Sequence, residues 1–203
     1  MDIFDLLLLS KKVYRKITAK KPTLFIGIIL VGLLDMLLPL MDNFSKIFGG
    51  KPLMVTYFNI TLALVFTALL GFVDVLFFSI PMFDFFKRFI KEKNLQTLDD
   101  LLVKVMKVYI VANLIIFPVN LLLYTVTKNV GLMNSYTMDL LNGFLILLPS
   151  AWASAAITRG LNVMFGFKSV FKRFIFPVVF AWATILGITI SLITDNWLMI
   201  LFK

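Results

Sequence analysis

The sequence predicts an all-α integral membrane bundle of five transmembrane helices. Its N-terminus is expected to be cytoplasmic, its C-terminus extracytoplasmic, and an amphipathic interfacial helix to come first. Three observations predict this. Of 203 residues, 61% are hydrophobic and 15% charged, too apolar for a soluble domain of this size. The apolar residues fall in blocks near or above the roughly 20 residues that a helix needs to cross a bilayer core. The 20 Lys and Arg residues alternate between flanks, with six, six and four on one side and two, one and one on the other. Basic loops stay in the cytoplasm, which orients the chain.

Residues 1–22 read as a cytoplasmic basic amphipathic helix and residues 23–203 as the transmembrane domain. Ile3, Leu6, Leu7, Val13, Tyr14 and Ile17 recur at helical spacing, with Lys11, Lys12, Arg15 and Lys16 on the opposite arc. Such a helix either lies on the inner leaflet or docks its apolar stripe on the bundle. Asp2, Asp5 and the lack of a small-x-small cleavage site argue against a secretory signal, so this stretch is expected to be retained.

The first span covers about 23–41. Pro22 precedes it where a helix can begin, because its missing N–H would be unpaired there anyway. Gly27 and Gly32 allow a close helix approach, Asp35 lies within the span, and Pro39 is near its far end. The block 55–86 is awkwardly long, about 48 Å as one helix. It is too short for a two-span hairpin, so it reads as one tilted helix that spans at about 57–82, with Asp74 inside and a kink point at Pro81.

A charged stretch follows, with Lys87, Arg88, Lys91, Lys93, Lys104 and Lys107. Within it, Thr97-Leu98-Asp99-Asp100 reads as a helix start, its carboxylates near the positive end of the dipole. That helix leads into the third span, about 108–126, with Asn113, Pro118 and Asn120. The fourth span, about 137–158, carries Asp139 and Asn142 early and the small residues Ser150, Ala151, Ser154 and Ala155 later, a surface for close packing. The fifth, about 174–194, is expected to end at Asp195-Asn196, leaving a tail at the outer interface with Trp197 as anchor.

The residue inventory narrows the chemistry. With no Cys and no His, disulfides, thiol nucleophiles and imidazole bases are absent. Glu92 is the only Glu, Asp99-Asp100 is an isolated pair, and no phosphate or dinucleotide fingerprint occurs. No enzyme, metal site or cofactor is expected. The net charge of +9 sits on loop flanks rather than on a basic domain, which argues against nucleic acid. It suits anionic lipid headgroups instead, contacted by Lys11, Lys12, Arg15, Lys16, Lys20 and Lys21. Small-residue faces leave room for a protein partner or a homodimer.

The best leads are the intramembrane polar residues Asp35, Asp74, Asn113, Asn120, Asn142 and Ser150. At about 1.5 Å per residue, Asp35 and Asn120 lie roughly 18 Å above the inner boundary, and Asp74 and Asn113 roughly 8 Å above it. Two polar layers are expected, Asp35 with Asn120 and Asp74 with Asn113, with Asn142 and Ser150 near the upper and lower one. They are either hydrogen bonds between helices or a proton or cation path.

The layout also carries a family resemblance. The opening KKVYRKITAKKPTLFIGIIL, with Lys21-Pro22 ahead of the first span, and the later ITRGLNVMFGFKSVFKRFIFPVVF resemble the bacterial branch of the Yip1 family. The resemblance implies a five-span membrane protein, here expected in the cytoplasmic membrane of a bacterium. The Asp-Leu-Tyr-Gly-Pro motif of the eukaryotic branch is absent, so GTPase partnership is not carried over. The expectation is a non-enzymatic protein that organises membrane or partner proteins. The alternative is a small transporter or channel component using Asp35 and Asp74. A dry packed bundle favours the first, and a wet cavity reaching both carboxyls favours the second.

Overall fold

The computed structural model describes residues 10–89, 98–130 and 136–201, with side chains for 10–89, 98–126 and 147–198. Among the described residues there are six helices and no strand: α1 Lys11–Arg15, α2 Lys21–Phe48, α3 Leu53–Lys87, α4 Leu98–Val130, α5 Tyr136–Phe165 and α6 Ser169–Leu201.

The opening helix is shorter than its periodicity suggests. Residues 1–9 lie outside the described chain, and α1 ends at Arg15, with Lys16 as its C-cap. Residues 17–20 have no regular structure, Lys20 is extended, and α2 starts with Pro22 in its first turn. Proline begins a helix readily but does not continue one, which separates α1 from α2. The Lys107 ammonium holds the connection, donating to the Thr18 carbonyl and the Thr23 hydroxyl at 2.6 Å each.

The α2–α3 hairpin turns through Gly50, whose φ of +66° suits glycine. Asn59 donates to the Ile47 carbonyl across the turn at 2.9 Å. Midway, a methyl group on Gly32 would overlap the Thr67 carbonyl oxygen, and one on Gly71 the Ile28 carbonyl oxygen. The two helices therefore touch backbone to backbone, a device of membrane helix pairs. The long apolar block is one unbroken 35-residue helix, α3.

Helix α4 opens with Asp99 and Asp100 in its first turn and runs without a break into the third apolar block. It lies parallel to α2. Thr23 meets Lys107, Gly27 abuts Ile110 and Asp42 meets Tyr124, a nearly constant offset along both helices. Helix α5 stops at Gly166, which takes φ +60° and returns its N–H to the Asn162 carbonyl at 3.1 Å.

Helix α6 runs antiparallel to α3, with the Trp182 indole donating to the Phe77 carbonyl at 3.1 Å and Phe171 against Phe86. It does not end at Asp195-Asn196 as expected but continues to Leu201. The Asn196 amide bonds the Leu192 carbonyl one turn back, at 2.7 Å, so it joins the helix instead of capping it. Trp197 packs its ring 4.3 Å from Phe66 rather than anchoring a free tail.

The molecule is apolar outside and partly polar inside. Phe25, Ile26, Phe58, Leu64, Phe77, Phe174 and Ile188 are exposed, whereas Asp74, Ser79, Ser154 and Thr194 are buried. That inversion fits lipid as the surrounding solvent. Four segments, Lys21–Phe48, Leu53–Lys87, Leu98–Val126 and Ser169–Leu198, are long and apolar enough to cross a membrane. The chain is a multi-pass helical membrane protein.

Candidate functional site

Helix α4 presents one face to the bundle interior: Tyr109, Asn113, Ile116, Asn120, Leu123 and Tyr124. These positions recur every three or four residues, so they form one stripe about 22 Å long. Around it, α2 contributes Asp35, Leu38 and Pro39, and α3 contributes Asp74. Helix α5 adds Pro149, Ser150, Ala153 and Ile157. Helix α6 adds a run from Ala183 through Gly187 to Thr194 and Asp195. Together they line a partly open cavity of about 480 Å³.

Most of the lining is apolar, and its charged residues are all acidic. It holds Asp35, Asp74 and Asp195 and, among the described residues, no Lys or Arg. Most of the described basic side chains collect at one end of the bundle, and Lys46 and Lys51 flank the α2–α3 turn at the other. Asp74 is buried and Asp35 half-buried among the helices, whereas Asp195 is exposed at the cavity's edge. The two inner carboxyls, with no cation in the lining, attract positive charge.

The carboxyls differ in their partners. The Tyr109 hydroxyl lies 2.8 Å from both oxygens of Asp74 and donates to one at a time. Tyr109 is itself fixed by stacking on Phe78, with ring centroids 4.1 Å apart and planes 14° from parallel. Asp35 has a buried Oδ2 with no hydrogen-bond partner among the described residues. At the other end of the stripe the Tyr124 hydroxyl donates to the Asp42 carboxylate.

Five of the six expected intramembrane residues, Asp35, Asp74, Asn113, Asn120 and Ser150, line this one space. The side chain of Asn142 lies outside the described residues. The expected pairings are different, however. Asp74 takes Tyr109 rather than Asn113, whose amide instead bonds the Tyr109 carbonyl at 3.1 Å on its own helix. Tyrosine reaches farther than asparagine, and Tyr109 sits one turn nearer Asp74. Asp35 and Asn120 share the cavity instead of closing it. Tyr109, Tyr124 and Asp195 escaped the sequence reading. Extending the Asn113–Asn120 stripe by one turn each way would have found the two tyrosines.

Toward the basic end, the bundle closes on phenylalanines. The Phe86 ring lies 6.2 Å from Phe165 and 5.5 Å from Phe167. Nearby, α1 docks on α5. Tyr14 is 1% exposed and donates to the Ala156 carbonyl at 3.0 Å. Burial pushes its hydroxyl pKa up to about 12, and the Arg159 charge partly offsets that. Lys11, Lys12, Arg15, Lys16, Lys20 and Lys21 all remain exposed. Docking on the bundle and presenting the cations outward therefore occur together.

Comparison of the chain with protein-family models, curated proteins and solved structures gives no match.

Proposed function

We propose that this chain is a small five-span transporter or channel component that takes a proton or small cation into its acidic cavity through Asp35 and Asp74. The observation that carries the proposal is the cavity of about 480 Å³ reaching both carboxyls. An intramembrane carboxyl costs free energy, and in ion pathways such a group faces a cavity or a partner; here both carboxyls face one cavity.

In this reading α5 is the fourth of five spans. The N-terminus is cytoplasmic and the C-terminus extracytoplasmic, supported by sixteen of twenty Lys and Arg residues falling on one set of flanks. The protein sits in the cytoplasmic membrane of a bacterium and belongs to the bacterial Yip1 branch, supported by Lys21-Pro22 opening α2. It is not an enzyme. The six exposed cations held in place by Tyr14 favour a second role, contact with anionic headgroups or with a protein partner that the chain would organise.

Proton flux in liposomes tests the main reading. The parent chain is expected to conduct, and Asp35→Asn and Asp74→Asn to abolish flux while folding is unchanged, because an amide cannot exchange a proton. A folded parent without flux that still binds anionic vesicles would favour the organising role.

A further inference from the structure

Below the cavity, toward the basic end, lies a second set of polar side chains that the site does not use. Ser79 on α3 and Ser154 on α5 are both 0% exposed, and the hydroxyl of each has no hydrogen-bond partner among the described residues. The same holds for the buried Thr158 hydroxyl and the Asn162 side-chain oxygen. This is unusual within the molecule itself. Thr67, Thr184, Thr189 and Thr194 all turn their hydroxyls onto the carbonyl four residues back, at 2.8 to 2.9 Å. A helical hydroxyl can always do so at little cost. Ser154 and Thr158 point elsewhere.

Their heights can be compared. Helices α3 and α5 run in the same direction and meet at Phe86 and Phe165. Ser79 and Thr158 each precede that contact by seven residues, so they lie level. By the same offset Asp74 lies level with Ala153, a cavity-lining residue. Ser79 is thus about 8 Å below Asp74, five helical rises toward the basic end. Ser154, Thr158 and Asn162 follow one another at four-residue steps down the same side of α5. The series begins one residue past Ala153 and ends just above Phe165.

Buried oxygens without a protein partner are costly in a membrane interior and are ordinarily satisfied by ordered water. We infer that Ser154, Thr158 and Asn162 form a hydrated seam along α5, at whose level Ser79 of α3 lies. It continues the cavity below Asp74 and stops at the Phe86–Phe165–Phe167 cluster. The seam rests on the cavity reading above and adds the direction in which that cavity would open. Water that reaches Asp74 from one end would have a polar continuation toward the other, closed by phenylalanine rings alone.

Because the natural chain contains no cysteine, single substitutions give one reactive thiol each on a silent background. Ser154→Cys, Thr158→Cys and Asn162→Cys probe the seam in the full chain in membrane vesicles, with silver ion as the small water-borne reagent. Ala153→Cys probes the cavity. Val108→Cys, at a fully buried apolar position on α4 that packs on Gly160, is the dry reference. The first two substitutions are nearly isosteric, which preserves folding. All three seam thiols are expected to react at least about tenfold faster than Val108→Cys, since thiol reaction requires access to water. Seam thiols as slow as Val108→Cys, beside a reactive Ala153→Cys, would overturn the seam and leave the cavity standing. An unreactive Ala153→Cys would overturn the cavity reading and the seam with it.

Discussion

A carboxyl inside a membrane is least costly when a donor reaches it, and Tyr109 supplies one to Asp74. Removing that donor leaves the carboxyl buried and short of its partner. Tyr109→Phe is therefore expected to lower stability by about 1 kcal/mol, the scale of a strong hydrogen bond between membrane helices. Asp35 has less to lose, because its Oδ2 is already unpartnered. Asp35→Asn should be neutral or stabilising, and thermal unfolding in detergent compares the two variants. Tyr14 makes a third case at this scale. Its pKa rises from the usual value near 10 to about 12 in the folded state. Its contribution to stability is then fully present below pH 10 and is lost as pH rises towards 12. Docking of the N-terminal segment should loosen across that window, and Tyr14→Phe should remove the pH dependence; protease cleavage near residue 17 reports it. The reading of Asp35, Asp74, Asn113 and Asn120 as interior residues needed only their apolar surroundings. Tyr109 was hidden because tyrosine is unremarkable near a membrane boundary.

Helix pairing depends on a few positions where backbones meet. At Gly32 and Gly71 any added carbon would overlap a carbonyl oxygen on the facing helix, and neither backbone can yield independently. Gly32→Ala should cost about 3 kcal/mol, at the upper end for overpacking. Gly187, which lines the cavity and has open space where a methyl would go, provides the contrast. Gly187→Ala should be tolerated, even stabilising by a few tenths of a kcal/mol from its better helix propensity. The same unfolding measurement decides both. Gly32 was legible as a close-packing residue because small residues between apolar ones have few other uses in a span. Its partner on α3 was not, since one helix carries no record of its neighbour's rotation. Helix ends were misread for a related reason. Asp195-Asn196 has the composition of a terminus, yet Asn196 satisfies itself on Leu192 and the Trp197–Phe66 contact carries α6 onward.

At the scale of the molecule, apolar faces turn outward and the acidic cavity lies within the bundle, beyond the basic end. A reporter fused after Lys203 should read as extracytoplasmic, and one inserted at Arg88 as cytoplasmic. A cytoplasmic C-terminus would defeat the five-span topology. The sequence by itself determined that this chain is helical and multi-pass, because hydropathy and span length are sums over consecutive residues. Only the tertiary structure decided that Asp35, Asp74, Asn113, Asn120 and Ser150 share one cavity instead of pairing off in layers. Height along a helix follows from counting residues. The rotation of each helix about its axis, and the gap left between five of them, follow from backbone contacts such as Gly32 on Gly71, which no single segment encodes.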